Sequence, residues 1–214
     1  MTLSVWQALR DDLQPGVQPD QASYAVEFGG RTILLPIRQL SDGRGVASLI
    51  LNQASFAVLD ALADHLAAHL APYRPDIIVA VPSLGLPLAE AVARRLGHSR
   101  MLPLGNSRKF WYDDALSVDM ASITSPTSGK RLYLDPRMRP LLTGRVAVVD
   151  DVLSTGSSIA AVLRLLALEN TVPCVLGAAM LQGTAWQAHT DPVPVEGAFA
   201  TPILHQTPNG WAAP

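Results

Sequence analysis

The chain has 214 residues, 49% of them hydrophobic, a formal net charge of −2 and a single cysteine, Cys174. That length and apolar content suffice for one buried core with a small subdomain attached, while the lone cysteine excludes an internal disulfide and a metal site built on thiolates. Lys and Arg are scattered, which gives no stripe for nucleic acid or for an anionic membrane surface, so the expected ligand is small.

Residues 1–22 are polar and hold Pro15, Gly16 and Pro19, consistent with a short helix or a loose arm. Asp11 and Asp12 stand where a secretory leader would be basic and then apolar, and no run approaches the roughly 18 apolar residues of a spanning helix. A soluble, cytoplasmic protein is expected. Tyr24, Val26 and Phe28 alternate with small or polar neighbours, and Gly29-Gly30 then precedes Arg31 to Leu35, the pattern of a hairpin with a two-residue turn.

From Ala54 the period becomes helical, with Phe56, Leu59, Ala63, Leu66 and Leu70 on one face and Pro72 and Pro75 as stops. Residues 76–81 form a short β-branched run that reads as a strand covered on both faces. The loop Pro82-Ser83-Leu84-Gly85 leads to a helix with Pro87 near its start and Gly97 at its end. Further strands are expected at 101–104, 131–134, 145–149 and 172–181, the last taken as the final core strand before a proline-broken tail. A helix through Ile159, Val162, Leu163 and Leu166 completes an alternating pattern, which predicts an α/β fold with a central, mostly parallel sheet flanked by helices.

Between the strand 145–149 and that helix lie two carboxylates, Asp150 and Asp151, then Val152, Leu153 and the turn Ser154-Thr155-Gly156-Ser157-Ser158. Loops at the carboxyl ends of parallel strands face the ligand crevice. A small-residue turn entering a helix offers backbone N–H groups to an anion, and the paired acids can accept hydrogen bonds from sugar hydroxyls or hold hydrated magnesium. For a Ser-Thr-Gly turn alone, the simpler reading is an ordinary helix start with capping side chains.

The full string Val-Val-Asp-Asp-Val-Leu-Ser-Thr-Gly-Ser-Ser, residues 148–158, closely resembles the signature of type I phosphoribosyltransferases, and other segments are similar to adenine- and purine-specific members. The resemblance spans about 54–181 and implies that the Thr155-Gly156 turn binds the 5-phosphate of phosphoribosyl pyrophosphate. Asp150 and Asp151 would bind the ribose hydroxyls and, through water or those hydroxyls, Mg2+. Ser154 stands where hypoxanthine-guanine members usually carry Asp, which disfavours that specificity and leaves adenine-like, orotate-like or other bases open.

By the same resemblance Ser83, Leu84 and Gly85 belong to the pyrophosphate loop, in which family members often store a strained peptide. Taken by itself this segment equally reads as Ser83 capping a helix that Pro87 begins. Arg108 and Lys109 are the cations expected on pyrophosphate. The stretch 110–129 resembles the loop that closes over substrates, Lys130 the lysine behind it, and Trp111 and Tyr112 either anchors or simple packing residues. Asp113, Asp114 and Asp119 are the nearby acids available as general acid or base; the residue type expected there in some adenine-specific members has no counterpart in 122–127.

The implied reaction is transfer of ribose 5-phosphate to a nitrogenous base, with a purine expected, in nucleotide salvage by a magnesium-dependent, homodimeric enzyme. The implied hood over the base is drawn from an arm and hairpin at 1–53 and a tail at 186–214 flanking a 54–185 core, with Phe199 and Trp211 as candidate stacking residues and the backbone around Ile203 and Leu204 as a reader of base edges. A regulator that binds phosphoribosyl pyrophosphate without turnover, or a salvage- or competence-linked member with an unusual nucleophile, are the alternatives.

Overall fold

The computed structural model describes residues 5–120 and 131–214. In chain order the strands and helices are β1 (Gly16–Val17), β2 (Ser23–Phe28), β3 (Arg31–Gln39), β4 (Gly45–Ala47), α1 (Phe56–Leu70), β5 (Ile77–Ala80), α2 (Gly85–Arg95), β6 (Leu102–Pro103), β7 (Ser117–Asp119), β8 (Arg131–Tyr133), β9 (Val146–Leu153), α3 (Ser157–Ala167), β10 (Val175–Gln182), β11 (Val195–Thr201), β12 (Ile203–Thr207) and β13 (Gly210–Ala212).

Five strands in the order β11-β10-β9-β5-β6 form the central sheet, and every pairing in it is parallel. The buried strands are apolar because both faces are covered: β5 and the 146–150 part of β9 are buried throughout. Helices α1 and α2 pack with one face into a core that continues under the hairpin, and α3 joins a second core on the opposite face. This is the α/β architecture the alternating pattern predicts. No helix among the described residues is long and apolar enough to cross a membrane.

Gly29 and Gly30 both have left-handed φ, +59° and +76°. Only a turn of that hand matches the twist of two tightly joined strands, so the Gly-Gly pair fixes the β2–β3 hairpin and its register, Phe28 opposite Arg31. The arm before it is not loose. Trp6 is buried, its indole Nε1 donating to the Ser48 carbonyl at 2.9 Å, and Arg10 pairs with Thr32 as an added bridge.

Helix α1 is capped by Ser55, whose Oγ accepts from the Val58 amide. Its buried stripe is Val58, Leu62, Ala63, Leu66, Ala67 and Leu70, one step round from the expected face: Phe56 lies outside at 84% exposure. Two strand expectations also change. Arg131–Tyr133 leaves the central sheet to pair antiparallel with Ser117–Asp119, and 172–181 is not the last core strand. Beyond it β11 pairs parallel with β10 along six registered positions.

The prolines of the tail punctuate strands instead of abolishing them. Pro192 and Pro194 precede β11, Pro202 separates β11 from β12, and Pro208 lies in the turn between β12 and β13. At Pro202 the chain passes from the parallel sheet into a second one, ordered β1-β2-β3-β4-β12-β13, where Ile203 pairs with Val46. A proline lacks the N–H that would prolong the ladder, which suits it to such a switch. The N-terminal hairpin and the C-terminal segment thus share one antiparallel sheet.

Phe199 is buried at 7% exposure, with its ring 5.8 Å from that of Phe28; it is a core residue, not a stacking one. Phe199→Ala should lower folding stability by about 3–5 kcal/mol, the range for truncating a buried Phe, measured as a shift of the denaturant midpoint at unchanged m-value.

Candidate functional site

The carboxyl ends of β5, β9 and β10 meet along one rim of the parallel sheet. Strand β9 continues through Leu153, so Asp150 and Asp151 are strand residues held by the β10 ladder, Ala178 facing Asp150. Asp150 is 5% exposed and its Oδ1 accepts from the Asp151 amide at 2.8 Å. Burial, followed by the neighbouring Asp151 charge, pushes the Asp150 carboxyl well above the ordinary carboxylate range, and burial raises that of Asp151 as well. Two partly desolvated acids side by side are expensive without a counter-charge, an arrangement common at ligand sites.

The loop between β5 and α2 lies directly against this pair. A Cβ at Gly85 would fall 2.9 Å from both Cα and Oδ1 of Asp150, so only glycine permits the approach. The Pro82–Ser83 peptide is cis. Helix α2 begins at Gly85 behind Leu84, without a side-chain cap, and Pro87 is its third residue. Ser83 therefore does not cap it; its Oγ accepts instead from Asn106 Nδ2 at 2.9 Å, tying this loop to the one after β6.

The turn after β9 has the corresponding form. Gly156, at φ +85°, precedes α3 with no side-chain cap, and the first helical bond runs from the Ala160 amide to the Gly156 carbonyl. The amides ahead of Ala160 in the first turn have no intrahelical acceptor. They border a small cavity of about 120 Å3 lined by Val152, Leu153, Ser154, Thr155, Gly156, Ser158 and Ile159. Thr155 Oγ1 and Ser157 Oγ lie 3.1 Å apart at its lip. Thr155 Oγ1 also accepts weakly from the Ser157 amide at 3.4 Å, while neither acid caps the helix.

A larger cavity of about 530 Å3 adjoins it, and Ser154 and Thr155 line both. Its other walls come from the antiparallel sheet and the end of β10: Leu40, Arg44, Val46, Gln182, Thr184, Ala185, Pro202 and Ile203 among them. Ile203 was anticipated from the sequence, whereas Gln182, Arg44 and the 183–185 segment were not. Trp211 is elsewhere, its ring against Gly45. Two further cavities, of about 330 Å3 beside α1 and about 460 Å3 near His98 and Arg100, lie away from the paired acids.

The loop after β6 carries Arg108 and Lys109, both exposed. Arg108 Nε donates to Asp114 Oδ1 at 2.9 Å, and that contact holds the Asp114 carboxyl below the usual range. Asp113 Oδ1 accepts from the Ala115 amide, and Asp119 pairs with Arg131 at 3.3 Å. All three loop acids are thus engaged locally. Trp111 donates to Asp135 from Nε1 with the Arg137 guanidinium 4.9 Å above its ring, and Tyr112 lies against Tyr133, so both aromatics anchor the start of the loop. Arg137 in turn holds Asp135 down to about 2. Residues 121–129 and Lys130 lie outside the described residues. Among the described residues no three His, Cys, Asp or Glu side chains converge as metal ligands.

The sequence matches the phosphoribosyl transferase domain family over residues 46–188. It matches none of the curated proteins. Among solved structures it is similar to the adenine phosphoribosyltransferase of Thermoanaerobacter pseudethanolicus, at 19% identity and a TM-score of 0.61, covering 77% of this chain and 95% of that one. The Giardia lamblia enzyme complexed with 9-deazaadenine aligns at 20% identity and 0.58, covering 77% and 93%. The adenine phosphoribosyltransferase of Rhodothermus marinus aligns at 16% and 0.57, covering 85% and 96%. At these identities the likeness concerns the fold, and the family match spans the β5–α2 loop, the paired acids and the turn before α3 together. By that match and by the geometry of the rim, the chain belongs to the phosphoribosyl transferase domain family.

Proposed function

We propose that the protein transfers the ribose 5-phosphate of phosphoribosyl pyrophosphate to a ring nitrogen of a base, a purine being the first candidate, with release of pyrophosphate. The observation that carries this reading is the adjacency of two cavities sharing Ser154 and Thr155, one a small amide-lined turn and the other a wider, mostly apolar recess, beside buried Asp150 and half-buried Asp151. A phosphate, a sugar and a flat heterocycle are three different chemistries, and the rim offers a distinct surface to each.

In this reading the amides of the Gly156 turn and the hydroxyls of Thr155, Ser157 and Ser158 hold the 5-phosphate. Asp150 and Asp151 accept from the ribose hydroxyls and orient C1 toward the wide cavity. The Ser83-Leu84-Gly85 loop receives the pyrophosphate, and Arg108 with Lys109 reach it once Arg108 exchanges Asp114 for the stronger anion. The acceptor nitrogen forms the new bond to C1 with its lone pair. The C1–O bond breaks with its electrons going to pyrophosphate, and the acceptor's N–H proton passes to solvent or a nearby base. The antiparallel sheet of β1–β4 with β12 and β13 acts as the hood that excludes water.

Two adjacent carboxylates fit magnesium only through intervening water or substrate oxygens, and that is how Asp150 and Asp151 would hold it. Magnesium bound in this way would supply positive charge against the departing pyrophosphate. The experiment is pyrophosphate release from phosphoribosyl pyrophosphate with a panel of purine and pyrimidine bases, with and without magnesium. Release with one base, abolished by chelator, is expected. Tight binding of phosphoribosyl pyrophosphate with no release on any base would replace the enzyme with a sensor of that metabolite.

A further inference from the structure

Gln182 ends β10 at 7% exposure and reaches two ways. Its Nε2 donates to the Ala47 carbonyl on strand β4 at 2.8 Å, and its Oε1 accepts from Ser154 Oγ at 3.1 Å. The polarity of this chain of bonds is forced. A main-chain carbonyl can only accept, so the NH2 end of the amide must face Ala47 and the oxygen must face Ser154. A reversed amide would set two oxygens together and strand a buried NH2 group. Ser154 has one hydroxyl proton, and Gln182 takes it; what Ser154 Oγ has left for the cavities it lines is lone pairs.

The rest of the wide cavity narrows the class of acceptor. Arg44 stands at its wall, its guanidinium paired with Asp42, Nε 2.8 Å from Oδ2, an exposed pair that by itself does not fix the charge of the acceptor. Leu40, Val46, Pro202 and Ile203 supply apolar surface suited to the face of a flat ring.

We propose that the Ser154–Gln182–Ala47 relay makes Ser154 Oγ a fixed hydrogen-bond acceptor, so that the site selects a nitrogen heterocycle presenting an N–H toward the signature turn. Gln182, at the end of β10, is the positioning residue that transmits this polarity from the Ala47 carbonyl on β4. The inference rests on the transfer reading above. A heterocycle with a lone pair at that place meets another lone pair, and one with C–H leaves Ser154 unpaired; either mismatch costs about 10–100-fold in kcat/KM.

The test uses the full chain with phosphoribosyl pyrophosphate and magnesium. Each accepted base is compared with isosteres in which one N–H or ring nitrogen is replaced by C–H. In the wild type one such replacement should raise the acceptor KM about tenfold or more. Gln182→Met should reduce that discrimination to about threefold or less, with a larger change in acceptor KM than in phosphoribosyl pyrophosphate KM. Gln182→Glu can donate to Ala47 and accept from Ser154 only while its carboxyl is protonated, so its discrimination should be kept at low pH and fade as pH rises, which a merely structural role would not predict. Ser154→Ala removes the acceptor atom and should abolish discrimination even if Gln182→Met fails to fold. Transfer that proceeds with no isostere penalty, or with the wild-type penalty kept in Ser154→Ala, overturns the relay and leaves the transfer reading standing. No pyrophosphate release from the wild type with any base overturns the transfer reading itself, and the relay with it.

Discussion

Replacing Asp150 and Asp151 together by Asn is expected to lower the affinity for magnesium-bound phosphoribosyl pyrophosphate by at least about 100-fold while making the ligand-free protein more stable. Hydrogen bonds to a charged partner are worth about 1.5–3 kcal/mol each, and two are lost. The stability gain follows from the direction of the ionisation. Burial raises the Asp150 and Asp151 carboxyls above their ordinary range. An acid whose pKa is raised by folding contributes fully only below its unfolded value, near 4, and that contribution is lost as pH rises through the folded value. At neutral pH the wild type therefore carries a cost that Asn does not.

Thermal melts of the ligand-free proteins should show the double variant a few degrees above the wild type at pH 7–8, with the gap closing toward pH 4. Ligand affinity of the wild type should move the opposite way. The carboxylates must be ionised to accept ribose hydroxyls and magnesium-bound water, so binding should strengthen as pH rises through the same window. A double variant that melts below the wild type at neutral pH, with affinity intact, would remove both acids from the site.

The second large effect is expected at Gly156. At φ +85° any side chain is strained by about 1–2 kcal/mol. An added Cβ would also lie 2.9 Å from the Trp186 Cα and 2.6 Å from the His189 ring. The ring can swing aside, but the Trp186 backbone belongs to the short helix Ala185–His189 and its indole is buried in the second core. Overpacking of this kind adds about 1–3 kcal/mol. Gly156→Ala should thus lose about 2–4 kcal/mol in denaturant unfolding and bind phosphoribosyl pyrophosphate weakly. Gly97→Ala is the control, since Gly97 has a similar φ of +82° and open space around it; it should show the backbone cost alone. Equal losses at the two positions would mean that the helix behind the turn does not brace it.

Those two sites were legible in the sequence for different reasons from the rest of the rim. Asp150, Asp151 and the Ser-Thr-Gly turn form one contiguous string after an apolar run, and strand, turn and helix chemistry coincide there. Gly29-Gly30 was equally plain, because two consecutive glycines between alternating segments specify one turn. Gln182 carries no such local sign. It becomes part of the site because Leu181 pairs with Leu153 in the parallel ladder, which brings the next residues, Gln182 and Ser154, abreast.

The tail was hidden for a related reason. Pro192, Pro194, Pro202 and Pro208 break the apolar periodicity that marks strands, yet each lies between strands, where a missing N–H does little harm. Aromatic residues misled in the other direction: Phe199 and Trp211 have the composition of stacking residues, while their neighbours, Phe28 and Gly45, decide that they pack. Strand Arg131–Tyr133 was legible as a strand, but not its partner, since Ser117–Asp119 is only three residues long and only Val118 in it is apolar.

The central claim is that the acids ending β9 and the turn before α3 together hold a ribose 5-phosphate bearing pyrophosphate. Its most direct measurement is calorimetric titration of the full chain with phosphoribosyl pyrophosphate, in magnesium and again in chelator. Saturable binding of one ligand per chain that weakens sharply in chelator is the predicted result. No heat of binding in either buffer, or binding displaced by neither ribose 5-phosphate nor pyrophosphate, would contradict it.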